Sequence, residues 1–178
     1  RNNFIFNVKG NLEATPRGTE NVAMGVYLDE YCSNMNVSEN TITGCAYSAI
    51  NFYNECNNNI VRGNVCYGNQ IGIFYYKGNN PMVNNYTSGN VFFGLDANQY
   101  SVKLRAASEG FTPGRFDSNY YCNPVKDDLF LYQSGNLKTS DNYNGWKRLF
   151  GNKPESGSKL LTGNQLKYSK LFVNMSDD

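Results

Sequence analysis

The sequence predicts an all-β solenoid, a chain wound into stacked coils of short parallel strands. Three observations carry that prediction. An asparagine motif recurs, a second strand-like marker keeps nearly the same step, and the composition favours tight turns over helices. Of 178 residues, 29 are Asn, 17 are Gly and only 5 are Pro. Such a density of Asn reads as disorder where apolar residues are scarce. Here it is interleaved with Val, Ile, Phe and Tyr. Asn tolerates the left-handed backbone region and its side chain bonds nearby main chain, so the chain is read as one that turns often.

The motif is an apolar residue, two variable residues, then Asn. It runs Phe4 to Asn7, Val37 to Asn40, Val61 to Asn64, Thr87 to Asn90 (the weakest match) and Phe116 to Asn119. Successive asparagines are 33, 24, 26 and 29 residues apart. The second marker is the strand series GVYLD (25–29), AINFY (49–53), GIFYY (72–76) and SVKLR (101–105), with steps of 24, 23 and 29. Leucine-rich repeats share this length but need recurring leucines, which the chain lacks. In a parallel solenoid, coils stack at about 4.8 Å. Equivalent residues then form columns, and Asn at a turn passes amide hydrogen bonds from coil to coil.

Taken in order, the chain opens with the first copy at Phe4. Residues 10–24 read as an inserted loop, and smaller insertions fall at 96–100 and 106–115. The repeat region is 1–125, and 126–178 reads as a capping segment. Within the cap, 144–151 reads as one short helix capped by Asn144 and ended by Gly151, with Trp146, Leu149 and Phe150 on its apolar side. Residues 153–158 read as a polar loop and 170–173 as a last strand. The chain begins at Arg1 with no initiator Met and no signal-peptide pattern, and it is expected to be part of something longer. Its first coil is expected to pack on missing chain or on another subunit.

Composition excludes several functions. A formal net charge of +1 does not suit a domain that binds nucleic acid by neutralising phosphates. No run approaches the ~18 apolar residues of a membrane span. With no His in the chain, Ser-His-Asp and Cys-His nucleophiles and His-bearing zinc sites are ruled out. The five cysteines (Cys32, Cys45, Cys56, Cys66 and Cys122) have no zinc spacing. Cys32 and Cys56 each lie six residues after Val26 and Ile50, so they are expected to stack as buried thiols, with a disulfide as the alternative. Asn36, Asn85 and Asn174 begin N-x-S/T sequons.

Segments 34–42 (NMNVSENTI) and 57–65 (NNNIVRGNV), with GVYLDEYCSN (25–34), resemble the right-handed parallel β-helix superfamily typified by pectate lyases. More narrowly, they resemble the β-helix repeat domains of bacterial polysaccharide-degrading proteins. The likeness covers about residues 1–125, and DSNYYCNP (117–124) and NGWKRLFG (144–151) are similar to the closing part of such domains. It implies a right-handed β-helix of about five coils with an irregular C-terminal cap. It also implies a carbohydrate-active protein outside the cytoplasm, either a polysaccharide lyase or a glycoside hydrolase.

Alternation then assigns the faces. Val26, Ile50, Ile73 and Val102 point inward, as do Leu28, Phe52, Tyr75 and Leu104. The outward columns are Tyr27, Asn51, Phe74 and Lys103, and beside them Asp29, Tyr53, Tyr76 and Arg105, with Glu30, Asn54 and Lys77 one step further. Carboxylates at one end, aromatics between, and two cations at the other end suit a saccharide over about 14 Å. Aromatic faces stack on sugar rings, and Asp, Asn and Arg take hydroxyls or carboxylates.

Substrate contacts are therefore expected from Tyr27, Asn51, Tyr53, Phe74, Tyr76, Lys77 and Asp96. Asp29, Glu30, Lys103 and Arg105 are the catalytic candidates. The resemblance to pectate lyases implies a basic residue in catalysis, and Lys103 or Arg105 fits that role. A hydrolase needs two carboxylates about 5–9.5 Å apart, which Asp29 with Glu30, or either with Asp96, would supply only if the loop folds back. No cofactor is expected, because calcium wants more clustered carboxylates than these. The alternatives to an enzyme are a non-catalytic glycan-binding module and a structural or adhesive solenoid.

Overall fold

The computed structural model describes residues 1–11, 21–107 and 111–149, together with the backbone of 159–161. Four complete turns of three strands follow one another. They are β1 (Phe4–Phe6), β2 (Met24–Leu28) and β3 (Asn36–Ser38); then β4 (Thr41–Thr43), β5 (Ser48–Tyr53) and β6 (Ile60–Arg62). Next come β7 (Val65–Tyr67), β8 (Ile71–Tyr76) and β9 (Asn85–Ser88); then β10 (Val91–Phe93), β11 (Tyr100–Ala106) and β12 (Gly114–Asp117). A fifth turn begins with β13 (Tyr120–Cys122) and β14 (Phe130–Ser134), so "about five" resolves as four turns and a part. Beyond it lie β15 (Leu137–Asp141), α1 (Tyr143–Leu149) and β16 (Lys159–Leu161).

The strands stack into three sheets. Sheet A runs β1-β4-β7-β10-β13-β16, sheet B runs β2-β5-β8-β11-β14-β15, and sheet C runs β3-β6-β9-β12. Every pairing is parallel except β14 with β15. Parallel stacking thus continues past the point where the motif lapses in the sequence, through β14 in sheet B and β16 in sheet A. The first turn leaves open edges at β1, β2 and β3.

Most corners turn on residues in the left-handed region. Between sheets C and A these are Asn2, Glu39, Gly63, Gly89 and Ser118, with φ between 55° and 65°. Between B and C they are Tyr31 and Asn34, then Asn54, Glu55 and Asn58, then Asn84, and between A and B they are Asn7 with Gly10, then Gly44, then Gly68. That distribution explains the mixture of Asn and Gly in the sequence, because these types reach positive φ at least cost.

The residue after the left-handed one forms the ladder. Asn40 N and Nδ2 donate to Asn64 Oδ1 (3.0 and 2.8 Å). Asn64 repeats the pattern onto Asn90 (2.9 and 2.9 Å), and Asn90 onto Asn119 (3.1 and 2.9 Å). One expectation is corrected here. Asn3, not Asn7, starts this column, since Asn3 N and Nδ2 donate to Asn40 Oδ1 and Phe4 pairs with Thr41. Asn7 is instead a left-handed corner equivalent to Gly44, one corner further on.

The inward columns are as the alternation predicts. Val26, Ile50, Ile73, Val102 and Phe130 are in register, as are Leu28, Phe52, Tyr75, Leu104 and Tyr132. Gly72 lets sheets A and B close up, because a Cβ there would lie 2.6 Å from Phe92 Cδ1 and from the Ser101 carbonyl. At the C-terminal end, Trp146 is fully buried, stacked 4.6 Å from the Phe130 ring and edge-on to Phe116. The cap of α1 is Asn142 rather than Asn144, its Oδ1 accepting the amides of Asn144 and Gly145 (3.0 and 3.1 Å). The predicted strand at 170–173, the polar loop at 153–158, Phe150, Gly151 and the sequon at Asn174 lie outside the described residues.

Candidate functional site

The outer face of sheet B carries a cleft of about 790 Å³. Tyr27, Asp29 and Glu30 line one end, Asn51, Tyr53, Phe74 and Tyr76 the middle, and Arg105 the other end. Parallel register puts these residues together. Tyr27 aligns with Asn51, Asn51 with Phe74, and Phe74 with Lys103, while Tyr53 aligns with Tyr76 and Tyr76 with Arg105. Asp29 continues β2 beside Tyr53. Three inter-strand steps therefore separate Asp29 from Arg105, about 14 Å. Val22, Met24 and Tyr47 complete the lining and were not picked out in the sequence. Tyr47 lies two residues ahead of the strand-like AINFY segment, at the corner where alternation says nothing about direction.

The aromatic rings are arranged differently from the expectation. Tyr53 and Tyr76 stack on each other at 4.8 Å and 17°. The Arg105 guanidinium caps Tyr76 from the next strand, 4.9 Å from the ring centroid. Tyr27 meets Tyr53 at 65° with centroids 6.4 Å apart. Lys103 Nζ sits 4.6 Å over the Phe74 ring and donates to Tyr47 OH (3.4 Å). The ring faces are thus engaged with one another and with cations, as ring quadrupoles favour. What Tyr53 and Tyr76 offer to the cleft is their edges and hydroxyls. Phe74 and Asn51 face outward as predicted and both are buried, Phe74 against Tyr47, Tyr76 and Lys103 and Asn51 at the floor of the cleft.

At the acidic end, Tyr27 OH and the Glu30 amide both donate to Asp29 Oδ1 (3.0 and 2.9 Å). Burial, followed by that bond and the charge of Asp29, pushes the Tyr27 phenol well above its ordinary range. Asn54 Nδ2 donates to Glu30 Oε1 (2.9 Å). Among the described residues no carboxylate pairs with Arg105. At the centre, Asn51 is 1% exposed and its Oδ1 has no hydrogen-bond partner.

Three candidates do not line the cleft: Lys103, held over Phe74, and, further off, Asp96 and Lys77. Asp96 lies at the opposite end of the strands, before β11, where its Oδ1 accepts the Asn98 amide (2.7 Å) and its carbonyl accepts Asn123 Nδ2 (2.9 Å). It belongs with Lys126, whose Nζ sits 3.3 Å over the Tyr100 ring, so no loop brings Asp96 to Asp29 or Glu30. Parallel strands enter from one side and leave on the other, and Asp96 precedes its strand whereas Asp29 follows its own. Lys77 aligns with Glu30 and Asn54 but turns back, donating to the Gly78 carbonyl (3.3 Å).

The separation limits the chemistry. Asp29 and Arg105, about 14 Å apart, cannot act on the same bond, whereas the adjacent Asp29 and Glu30 share one end. Among the described residues no three His, Cys, Asp or Glu side chains gather as a metal site. All five cysteines are free thiols. Cys56 is buried, and its Sγ donates to the carbonyls of Asp29 and Tyr53 (3.1 and 3.2 Å), with Cys32 half-buried beside it.

The model of one protein family, described as the right handed beta helix region, matches residues 1–108. The chain belongs to that family. No curated protein and no solved structure matches it. Family membership gives this right-handed β-helix its hand and its fold, while its ligand must be read from the site itself. No helix among the described residues is long and apolar enough to cross a membrane.

A second ladder, not singled out from the sequence, runs along the corner between sheets B and C. Asn59 N and Nδ2 donate to Asn85 Oδ1 (3.1 and 3.0 Å), and Asn59 Oδ1 accepts the Met35 amide (2.9 Å). The signal was the pair of Asn-Asn dipeptides at 58–59 and 84–85, 26 residues apart. This removes the sequon at Asn85 from the surface, because its side chain is 2% exposed and bonded into the ladder.

Proposed function

We propose that this β-helix binds a polysaccharide or oligosaccharide along the outer face of sheet B. The observation that carries the reading is the cleft of about 790 Å³, in which carboxylates, phenol hydroxyls, an amide and an arginine converge over three strand steps. A groove that long holds two or three sugar rings, and hydroxyl-rich ligands are matched by dense, mixed donors and acceptors. Such a partner places the protein outside the cytoplasm in this reading. Binding is its primary activity. Cleavage, by a lyase or hydrolase route, has Asp29 and Glu30 as the two carboxylates lining the cleft.

The test is glycan-array binding by the native chain and by the Tyr53→Ala/Tyr76→Ala variant, with every hit assayed for cleavage. Binding that falls at least tenfold in the variant, with both proteins folded by circular dichroism, supports this face. A native chain that binds nothing, or a variant that binds as well as native, overturns it. Turnover of a hit makes the protein an enzyme, and its absence makes it a binding module.

A further inference from the structure

We infer that Asn51 is the specificity-determining group of the cleft, and that it reads a pair of adjacent hydroxyls on a neutral sugar held edge-on. The inference rests on the carbohydrate reading above and gives it a substrate class.

The starting point is an amide that the protein leaves unsatisfied. Buried polar groups in folded proteins nearly always have partners, and an exception calls for a reason. Asn51 lies on the floor of the cleft, 1% exposed, between Tyr27 and Phe74 in the register of sheet B. Its Oδ1 accepts no hydrogen bond. Other buried polar atoms also lack partners, namely Thr43 Oγ1, Ser48 Oγ, Asn54 Oδ1 and Tyr132 OH, but none of these four residues lines the cleft. By contrast, each Oδ1 of Asn40, Asn64, Asn90 and Asn119 takes two donors from the preceding coil. The fold therefore satisfies an asparagine wherever it uses one for stacking, and at Asn51 it does not.

The neighbours define the ligand. A carboxamide pairs an acceptor with a donor, and adjacent sugar hydroxyls present the complementary pair, one donating to Oδ1 and the other accepting from Nδ2. Asp29 follows β2 one strand away from Asn51, and Glu30 follows Asp29, so a sugar carboxylate at this point meets like charge. A neutral ring does not. Approach is edge-on because Tyr53 and Tyr76 cover each other's faces and Arg105 covers the remaining face of Tyr76. Arg105 is then left for a group about two strand steps further along, close to 10 Å away.

The experiment is calorimetric titration of native protein and the Asn51→Leu variant with cellotriose, mannotriose, xylotriose, galactotriose and, as the acidic control, trigalacturonate. Melting temperatures of both proteins are taken alongside. Leu keeps the branched outline of Asn with more bulk and needs no partner, so the variant is expected to melt within a few degrees of the native temperature, the open cleft taking up the added methyl volume. It is also expected to bind the best neutral trisaccharide at least tenfold more weakly. Removing one hydroxyl of the contacted pair from that sugar should weaken native binding by a similar factor and leave the variant indifferent. A packing role alone does not produce that match between protein and ligand changes.

A native chain that binds none of the five probes overturns the carbohydrate reading and this inference together. Binding that is equal in native and Asn51→Leu protein overturns the inference alone, as does a preference of the native chain for trigalacturonate.

Discussion

Asn64 and Asn51 are the same residue type at the same depth, 0% and 1% exposed, and the fold treats them in opposite ways. Asn64 stands at a corner just after a left-handed residue, where the chain changes sheet and several backbone groups have no strand partner. Its Oδ1 accepts from Asn40, and its Nδ2 donates to Asn90 Oδ1 and to the Val37 carbonyl (2.9 Å each). Asn51 stands mid-strand, where backbone pairing is already complete and the side chain has nothing local to serve. Burial alone therefore does not mark an asparagine as structural. What decides is whether the backbone around it has unmet donors and acceptors.

The largest effect should come from Asn64→Ala. It strips two donors of Asn40 of their acceptor and leaves the Val37 carbonyl without its side-chain donor, all buried, and should cost roughly 3–5 kcal/mol in urea unfolding. A loss below about 1 kcal/mol would break the comparison, since it would make the ladder as dispensable as the cleft amide.

Alkaline pH provides a control acting on both regions alike. Burial pushes the thiols of Cys45, Cys56 and Cys122 up to about 11, and that of Cys66 further. A thiol whose folded value lies above its unfolded one stabilises the fold fully below the unfolded value of about 8.5. That contribution is lost as pH rises through about 11. The urea midpoint should hold steady to about pH 8 and then fall toward pH 11, equally in native and Asn51→Leu protein. A midpoint that rises over this interval would reverse the assigned direction.

Glu39→Gly sharpens the account of the corners. Glu39 has φ 58° where the next two turns carry Gly63 and Gly89, so relieving the left-handed strain should stabilise by about 0.5–1 kcal/mol. Destabilisation would mean that the Glu39 side chain supports the corner. Smallest of all should be Tyr53→Phe, which keeps the stack with Tyr76 and removes one hydroxyl from the cleft. Its stability should change by less than about 0.5 kcal/mol, while any glycan binding through that hydroxyl weakens severalfold. An equal loss on the alanine and phenylalanine variants would locate the contribution of Tyr53 in its hydroxyl, and an effect confined to alanine would locate it in the ring.

Much of the fold was legible because a solenoid repeats its constraints. Asn40, Asn64, Asn90 and Asn119 recur at nearly one spacing, since each must stand one coil above the last, and the strands of sheet B alternate because a sheet with one buried face must. The same regularity misled at the start of the chain. Asn7 matches the motif in sequence but occupies a left-handed corner, and Asn3 holds the ladder position. Residues of either role are asparagine, so type alone cannot tell them apart. The helix was legible from Trp146, Leu149 and the flanking turn residues, but its cap fell two residues earlier, at Asn142.

For the site, the sequence by itself determined which side chains share a face. Strand alternation and coil spacing bring Tyr27, Asn51, Phe74 and Lys103 into one column and Asp29, Tyr53, Tyr76 and Arg105 into the next. Only the tertiary structure decided what those columns offer. It turned the tyrosine faces onto each other, sank Asn51 and Phe74 into the floor of the cleft, folded Lys77 back on its own turn, and left Asp96 at the far end of the strands. The reason is physical. Periodicity fixes a side chain's direction from backbone geometry, while ring stacking, amide satisfaction and the path of an irregular corner depend on neighbours brought near from 23 to 29 residues away in the chain.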